Sequence, residues 1–338
     1  MTQSRLSSER PLLTIAIPTY NRSESLALLL EILAPQLDGE SRVELVISDN
    51  ASSDDTSAVV ASFQNRGLKL IYSRNETNLG ADANFVRCYE MARGEYVWIF
   101  GDDDIIVPGE LQEVLRRLET RRHDLIYIRS IGFRGRYQTS ATPKFSHRMR
   151  VFACPLDFAL YVSVMFTFIS GNIIRKAAVE RIPHSDFSEL IGTNLVQLSW
   201  TFTLLRANPN CACLLDNLVA SRLDNSGGHS TCQVFGTNLH ALVEEFFGLE
   251  SQLGRAILNR TIQSWFPTAM LQDRRKPNGR YLPENPQLVL GKLYRGNFRY
   301  WLFLYPVLRL PIPLAAVWLL AGKVINRVDR LLGYPISR

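Results

Sequence analysis

The chain has 338 residues, 46% of them apolar and 21% charged, which excludes a disordered or fibrous polymer and allows a full core in one large domain or two modest ones. Its net charge of +6 is unevenly spread: Arg255 to Arg338 holds fourteen Lys/Arg against three Asp/Glu, a net of +11, so the remainder is −5. That tail predicts a polyanionic partner, and its long apolar runs favour an anionic membrane surface over nucleic acid.

In chain order, Met1 to Arg10 is polar and lacks the apolar stretch of a secretory signal. Leu12 to Ile17 predicts a strand ended by Pro18, and Asn21 with Glu24 three residues later resembles a capping box before a buried helix over Leu26 to Leu33. Val43 to Ser48 predicts a second strand running into the polar stretch Asp49 to Asp55; a helix to Asn65 and a strand over Leu68 to Ser73 follow. Asn78-Leu79-Gly80 reads as a turn, Ala81 to Ala92 as a helix, and Tyr96 to Phe100 as an interior strand. This alternation predicts an α/β fold with a right-handed, mostly parallel sheet. Beyond Pro108 the pattern predicts a helix to about Arg121, a strand over Asp124 to Arg129, a loop or ribbon over 132–150 and a helix over Pro155 to Val164. A strand over Phe166 to Ile174 interrupted by Ser170-Gly171-Asn172, a helix over Glu189 to Ala207, a strand over Ala212 to Leu223 and a polar loop from Asp224 to His229 come next, and the chain reads as helical from Phe235. The five cysteines are scattered and odd in number, which suits a reducing cytosol.

The strand Tyr96 to Phe100 ends in Gly101 and then Asp102-Asp103-Asp104, with no Lys or Arg within five residues on either side. Ligands of open α/β sheets gather at such strand ends, and adjacent carboxylates raise one another's pKa unless a positive charge neutralises them. A hard divalent cation, Mg²⁺ or Mn²⁺, supplies that charge through oxygen ligands. In an extended segment Asp102 and Asp104 point to one side and Asp103 to the other, so at most two would touch one ion. The plain alternative is a solvated acidic loop before the next helix. Pro18-Thr19-Tyr20-Asn21 and Asp49-Asn50 end the other strands at the same edge, and this convergence predicts a nucleotide-and-metal site.

The motifs Ile15 to Asn21, Ser48 to Asp54, Asn78-Leu79-Gly80 with Asn84, and Phe100 to Asp104 occur in the order seen in family 2 glycosyltransferases. The resemblance covers roughly residues 12 to 225. With Arg222 and Asn225-Ser226-Gly227-Gly228, it is nearest the abequosyltransferase-like branch, which decorates bacterial surface polysaccharide. It implies the A-type glycosyltransferase fold and transfer of a sugar from a nucleotide-diphosphate donor. By resemblance, Pro18, Thr19 and Tyr20 line the nucleoside, Asp49 reads the base, and Asn84 borders the donor. The family's Asp-x-Asp motif begins where this chain has Gly101. Asp103 therefore matches its second carboxylate, with Asp102 and Asp104 flanking it; Asp103 and Asp104 are the metal candidates and Asp102 a donor contact. Arg222 is a candidate for the leaving diphosphate, with a plain surface charge as the equal alternative. The family's base often comes from an acidic pair before a helix, where this chain has Thr193-Asn194; Glu189 and Asp186 remain as candidates, with helix capping as the alternative.

The expected organisation is a nucleotide-sugar-binding domain over 1–232 and a helical, basic and apolar extension over 233–338. Pro306, Pro311 and Pro313 interrupt the apolar stretch of the extension, which leaves no run long enough for an ordinary spanning helix. Its aromatic and basic residues predict an interfacial anchor at the inner face of the plasma membrane, and a lid or dimer surface is the alternative. The expected partners are a nucleotide-diphosphate sugar, a lipid-linked oligosaccharide acceptor and the membrane, with no nucleic acid. A catalytically silent nucleotide-sugar-binding scaffold is the competing function.

Overall fold

The computed structural model describes residues 10–138, 145–183, 186–224, 228–275, 282–334 and 336. The N-terminal stretch 1–9 and the Asn225-Ser226-Gly227 motif lie outside the described residues. The chain divides into two compact units. The first comprises Met1–Val151, Phe168–Glu189 and Ala212–Arg222, and the second comprises Phe152–Thr167, Leu190–Cys211 and Leu223–Arg338.

The first unit is built on β1 (Leu13–Thr19), β2 (Val43–Asp49), β3 (Ile71–Arg74) and β4 (Tyr96–Ile99), with α1 (Ser23–Leu37), α2 (Thr56–Asn65) and α3 (Ala81–Met91) between them. β3, β2, β1 and β4 lie side by side and parallel. β1 and β4 are buried along their whole length, as apolar runs sealed on both faces should be. β5 (Ile105–Ile106), α4 (Leu111–Glu119), β6 (Leu125–Phe133), β7 (Met149–Val151), β8 (Asn172–Arg175), α6 (Lys176–Glu180, after α5 of the second unit) and β9 (Cys211–Arg222) complete it. The expected parallel arrangement holds for β3-β2-β1-β4. Beyond β4 the sheet continues through β8, β6, β9 and β5, and the β4–β8, β6–β8 and β5–β9 pairings are antiparallel.

Three local expectations are corrected. Asn21 forms no capping box: at φ +50° its Oδ1 accepts from Ser53 N at 2.7 Å, and Asp54 caps α1 by accepting from Ser23 N at 2.8 Å. The strand expected over Phe166 to Ile174 shrinks to β8, preceded by 3₁₀ turns at Ser163–Thr167 and Ile169–Gly171. The helix expected from Glu189 is a 3₁₀ turn, Phe187–Leu190, and the α-helix α7 spans only Leu198–Arg206. Gly192 at φ +96° and Asn194 at φ +56° take the backbone into a region no right-handed helix can use.

The second unit is helical: α5 (Pro155–Val162), α7, α8 (Leu239–Phe247), α9 (Gln252–Arg260), α10 (Phe266–Arg275), α11 (Pro286–Tyr294), α12 (Tyr305–Arg309) and α13 (Ile312–Leu331). Ile262, Phe266, Leu290, Leu304 and Val307 are central to its own apolar core.

Candidate active site

The parallel ladder fixes the first half of the site. Thr19, Asp49 and Arg74 are paired neighbours at the carboxyl ends of β1, β2 and β3. Pro18 and Thr19 are buried and Tyr20 is exposed. Asp49 is fully buried; its Oδ1 accepts from Ser52 N at 2.8 Å, and its Oδ2 accepts from the Tyr72 hydroxyl at 2.6 Å with Arg74 Nε 3.5 Å away. Asp49 is thus held from both sides, and Tyr72 and Arg74, its partners on β3, are two residues the sequence reading did not single out. Asn84 is also buried: its amide donates to the Ser48 carbonyl at 2.9 Å and its oxygen accepts from Ser48 Oγ at 2.7 Å. Asn50 secures the Asn78-Leu79-Gly80 turn, donating to Asn78 Oδ1 and accepting from Leu79 N.

The second half is the carboxylate turn after β4. The segment is not extended: Asp104 N donates to Gly101 O at 3.2 Å and closes a turn. One nitrogen of Arg22, at the start of α1, reaches Asp102 Oδ1 at 3.1 Å and Asp103 Oδ2 at 3.0 Å. The positive charge missing from the local sequence is therefore delivered from 80 residues upstream. Burial works against the Arg22 charge, and Asp102 and Asp103 outweigh it, so its pKa rises. Asp104 turns to a different set: Ser170 Oγ donates to its Oδ2 at 2.6 Å and Arg222 N to its Oδ1 at 3.1 Å. The same Ser170 hydroxyl accepts from Gly101 N at 2.8 Å, so one side chain ties both ends of the turn.

Burial, more than mutual repulsion, sets the charge state of Asp102 and Asp104. Burial pushes Asp102 up to about 6 despite the pull of Arg22. Burial and then the Asp103 charge push Asp104 up to about 7 against its hydrogen bonds. Even with Arg22 in place, the turn remains short of positive charge. A bare diphosphate would meet repulsion here; a cation, or a ligand that carries one, would not.

The other candidates stand differently. Arg222 serves Asp104 with its backbone N–H, while its guanidinium donates to Gly135 O at 3.3 Å and lies 5.6 Å from the centre of the Phe133 ring. Asp186 and Glu189 are exposed. Asp186 accepts from Ser188 N at 3.0 Å and so caps the 3₁₀ turn, which Phe187 fixes to α3 through an edge-on contact with Tyr89 at 5.2 Å.

The sequence profile of Glycosyl transferase family 2 matches residues 14–182. The chain belongs to this family. Abequosyltransferase RfbV of Salmonella typhimurium is 32% identical to it over 237 residues, 63% of this chain and 67% of that protein. GalNAc(5)-diNAcBac-PP-undecaprenol beta-1,3-glucosyltransferase of Campylobacter jejuni is 30% identical over 110 residues, 32% of this chain and 34% of that one. The crystal structure of residues 1–349 of Staphylococcus aureus TarS in complex with UDP-GlcNAc aligns with 95% of this chain and 92% of that chain, at a TM-score of 0.59 and 17% identity. At that identity the likeness shows the fold, the A-type glycosyltransferase arrangement. As a family 2 glycosyltransferase the chain carries the matched stretch from β1 to just past α6, so Asp49, Asp102, Asp103 and Asp104 lie inside it and Asp186, Glu189 and Arg222 outside.

Proposed function

We propose that this glycosyltransferase moves a sugar from a nucleotide-diphosphate donor to a saccharide carried on a lipid diphosphate, in the assembly of a bacterial surface polysaccharide. The observation that carries the reading is the single sheet edge at which Thr19, Asp49 and the Asp102–Asp104 turn end their strands. Abequosyltransferase RfbV supports the surface-polysaccharide setting, and the diphosphate-linked undecaprenol in the name of the Campylobacter relative supports the lipid carrier. Pro18, Thr19, Tyr20 and Asp49, with Tyr72 and Arg74, take the nucleoside; Asn84 holds β2 and α3 together behind it.

The donor atoms of the turn suit Mg²⁺ or Mn²⁺, because all are carboxylate oxygens, the hard ligands that these ions take. Among the described residues no group of three or more His, Cys, Asp or Glu converges to hold a metal. The cation would then rest on one or two carboxylates and the donor's phosphates, a common way of holding Mg²⁺. Asp103 and Asp104 would hold it, and it would offset the charge that grows on the leaving diphosphate. Asp102 keeps Arg22 at the same turn. The transfer is inverting: the acceptor oxygen bonds to the anomeric carbon as its bond to the diphosphate breaks, and a carboxylate takes the hydroxyl proton. Glu189, with Asp186 second, is the base of this reading. The protein works at the inner face of the plasma membrane, held by its C-terminal helices; no helix among the described residues is long and apolar enough to cross one.

Calorimetric titration of UDP, GDP, CDP and dTDP, with and without Mn²⁺, on the natural chain and on Asp103→Ala tests the donor site. Metal-dependent binding of one nucleotide, weakened tenfold or more in the variant, is the expected result. Metal-independent binding that Asp103→Ala leaves alone would make the turn structural and favour a nucleotide-sugar-binding scaffold.

A further inference from the structure

The second unit contains a cavity of about 420 Å³ between the Arg260–Pro267 segment and α13. Four cations line it: Arg260, Lys323, Arg327 and Arg330. The carboxylate beside them is Asp329, which is buried and spread thinly, accepting from Ile336 N at 2.7 Å and Gln263 Nε2 at 3.3 Å while lying 3.9 Å from Arg260 Nη1. Among the described residues, four positive groups around one carboxylate make the cavity electropositive. Arg260 is only 3% exposed, and burial, with Arg330 nearby, lowers its pKa; an anion in the cavity would relieve both penalties. A buried guanidinium suits phosphate, which it binds with a planar fork of donors. The wall beside it is the π turn Thr261–Trp265, an interruption of the helix that brings Gln263 and Ser264 to the cavity.

The outer face of α13 is apolar and exposed. Leu314, Val317, Trp318, Ala321, Val324, Val328 and Leu331 fall at helical spacing along α13 and are all exposed. The stripe runs for about 25 Å at the rise of an α-helix. Trp318 belongs both to the stripe and to the cavity lining, and Arg327, three residues after Val324 and four before Leu331, lies at the stripe's edge. An apolar face with cations on the same helix, where no described helix is long and apolar enough to cross a membrane, is the pattern of an interfacial helix.

We propose that this cavity binds the phosphate of an anionic membrane lipid while the exposed stripe of α13 sits among the acyl chains. The inference rests on the membrane association proposed above and is independent of the donor site. Three cations of α13 supply the attraction to the headgroup layer, Arg260 supplies the buried contact to one phosphate, and Trp318 marks the depth of insertion.

The test is sedimentation of the full chain with phosphatidylcholine vesicles, with and without phosphatidylglycerol. It is applied to the natural chain, to Lys323→Gln/Arg327→Gln, to Arg260→Lys, and to Arg255→Gln/Lys292→Gln, which removes equal charge from the same unit outside the cavity. At roughly a fivefold change per cation near an anionic surface, Lys323→Gln/Arg327→Gln should lose about thirtyfold of its partitioning into phosphatidylglycerol vesicles, and the control pair less than threefold. Arg260→Lys, which keeps the charge and loses the fork, should also weaken binding, and Trp318 emission should shift to the blue on anionic vesicles in the natural chain alone. Equal losses in the cavity and control pairs would overturn the inference and leave membrane association standing. Absence of vesicle binding, with concentration-dependent dimers in light scattering, would assign the stripe to a second copy and overturn both. Binding of free pyrophosphate without preference for phosphatidylglycerol would give the cavity to a soluble ligand and overturn the lipid. Calorimetry of the nucleotide site on the same variants reports their folding and keeps a failure of the glycosyltransferase reading separate.

Discussion

A Cβ placed on Gly101 would sit 3.1 Å from Asp104 Oδ2 and 3.3 Å from both Asp103 Oδ1 and Ser170 Oγ. The carboxylate turn is therefore wound closely around a residue with no side chain, and the acidic residue that the family pattern leads one to expect there would have to push Asp103, Asp104 and Ser170 aside by a few tenths of an ångström. Gly101→Ala should cost about 1–3 kcal/mol, the usual range for overpacking, and should weaken nucleotide binding by displacing Asp103; urea unfolding and calorimetry measure the two effects. Arg22 acts on the same turn from the other side. Removing it in Arg22→Met leaves Asp102 and Asp103 without their shared partner. Hydrogen bonds to charged groups contribute about 1.5–3 kcal/mol, and because the Arg22 side chain is 40% exposed the loss should fall near the low end. An unchanged urea midpoint would show that water replaces Arg22 at no cost. The carboxylates were legible because three lie side by side in the sequence. Arg22 and Ser170 were not, because each reaches the turn from a distant segment and neither has a distinctive spacing.

Between α1 and β2 the chain turns at Gly39, and Glu40 there anchors two elements. Arg42 Nε donates to Glu40 Oε1 at 2.8 Å and Gln112 Nε2, on α4, donates to Glu40 Oε2 at 3.0 Å. The hydrogen bond from Arg42 is the main force that pulls the Glu40 carboxyl down from the ordinary 4.5 to about 2. A depressed carboxyl pKa stabilises the fold above the unfolded value, and the contribution disappears as pH falls through the folded one. Glu40→Gln should therefore be less stable at pH 7 by about 1 kcal/mol, a figure discounted for the surface setting of the pair. The difference should close between about pH 4.5 and 2, which paired thermal melts across that range would follow. Elements with continuous apolar runs, β1, β2 and β4, were readable as buried strands because their composition admits nothing else. The segment 187–197 was not, because its apolar spacing suits a helix while Gly192 and Asn194 adopt positive φ. The antiparallel half of the sheet was equally hidden: strand direction depends on which edges meet, and β8 is only four residues long.

The chain passes between its two units five times, at 151/152, 167/168, 189/190, 211/212 and 222/223. The basic excess starts only at Arg255, past all five crossings, and the earlier segments Phe152–Thr167 and Leu190–Cys211 look like ordinary continuations of the α/β pattern. Their packing partners nonetheless lie late in the chain. Phe202 on α7 meets Phe247 of α8 edge-on at 4.8 Å, Leu160 on α5 clusters with Ala256 and Tyr334, and Asn238 donates to the Thr193 carbonyl at 2.8 Å. A fragment ending at residue 232 would keep α5 and α7 and lose what covers them. Phe158, Phe166 and Phe202 are completely buried in the whole chain, and exposing a large apolar side chain costs about 1.5–3 kcal/mol. The fragment should therefore aggregate, or bind a hydrophobic dye well above the level that the exposed stripe of α13 gives the full chain. A soluble, monomeric 1–232 fragment with full nucleotide affinity would show instead that the sheet unit stabilises these helices without their late partners, and that the interleaving carries no cooperative weight.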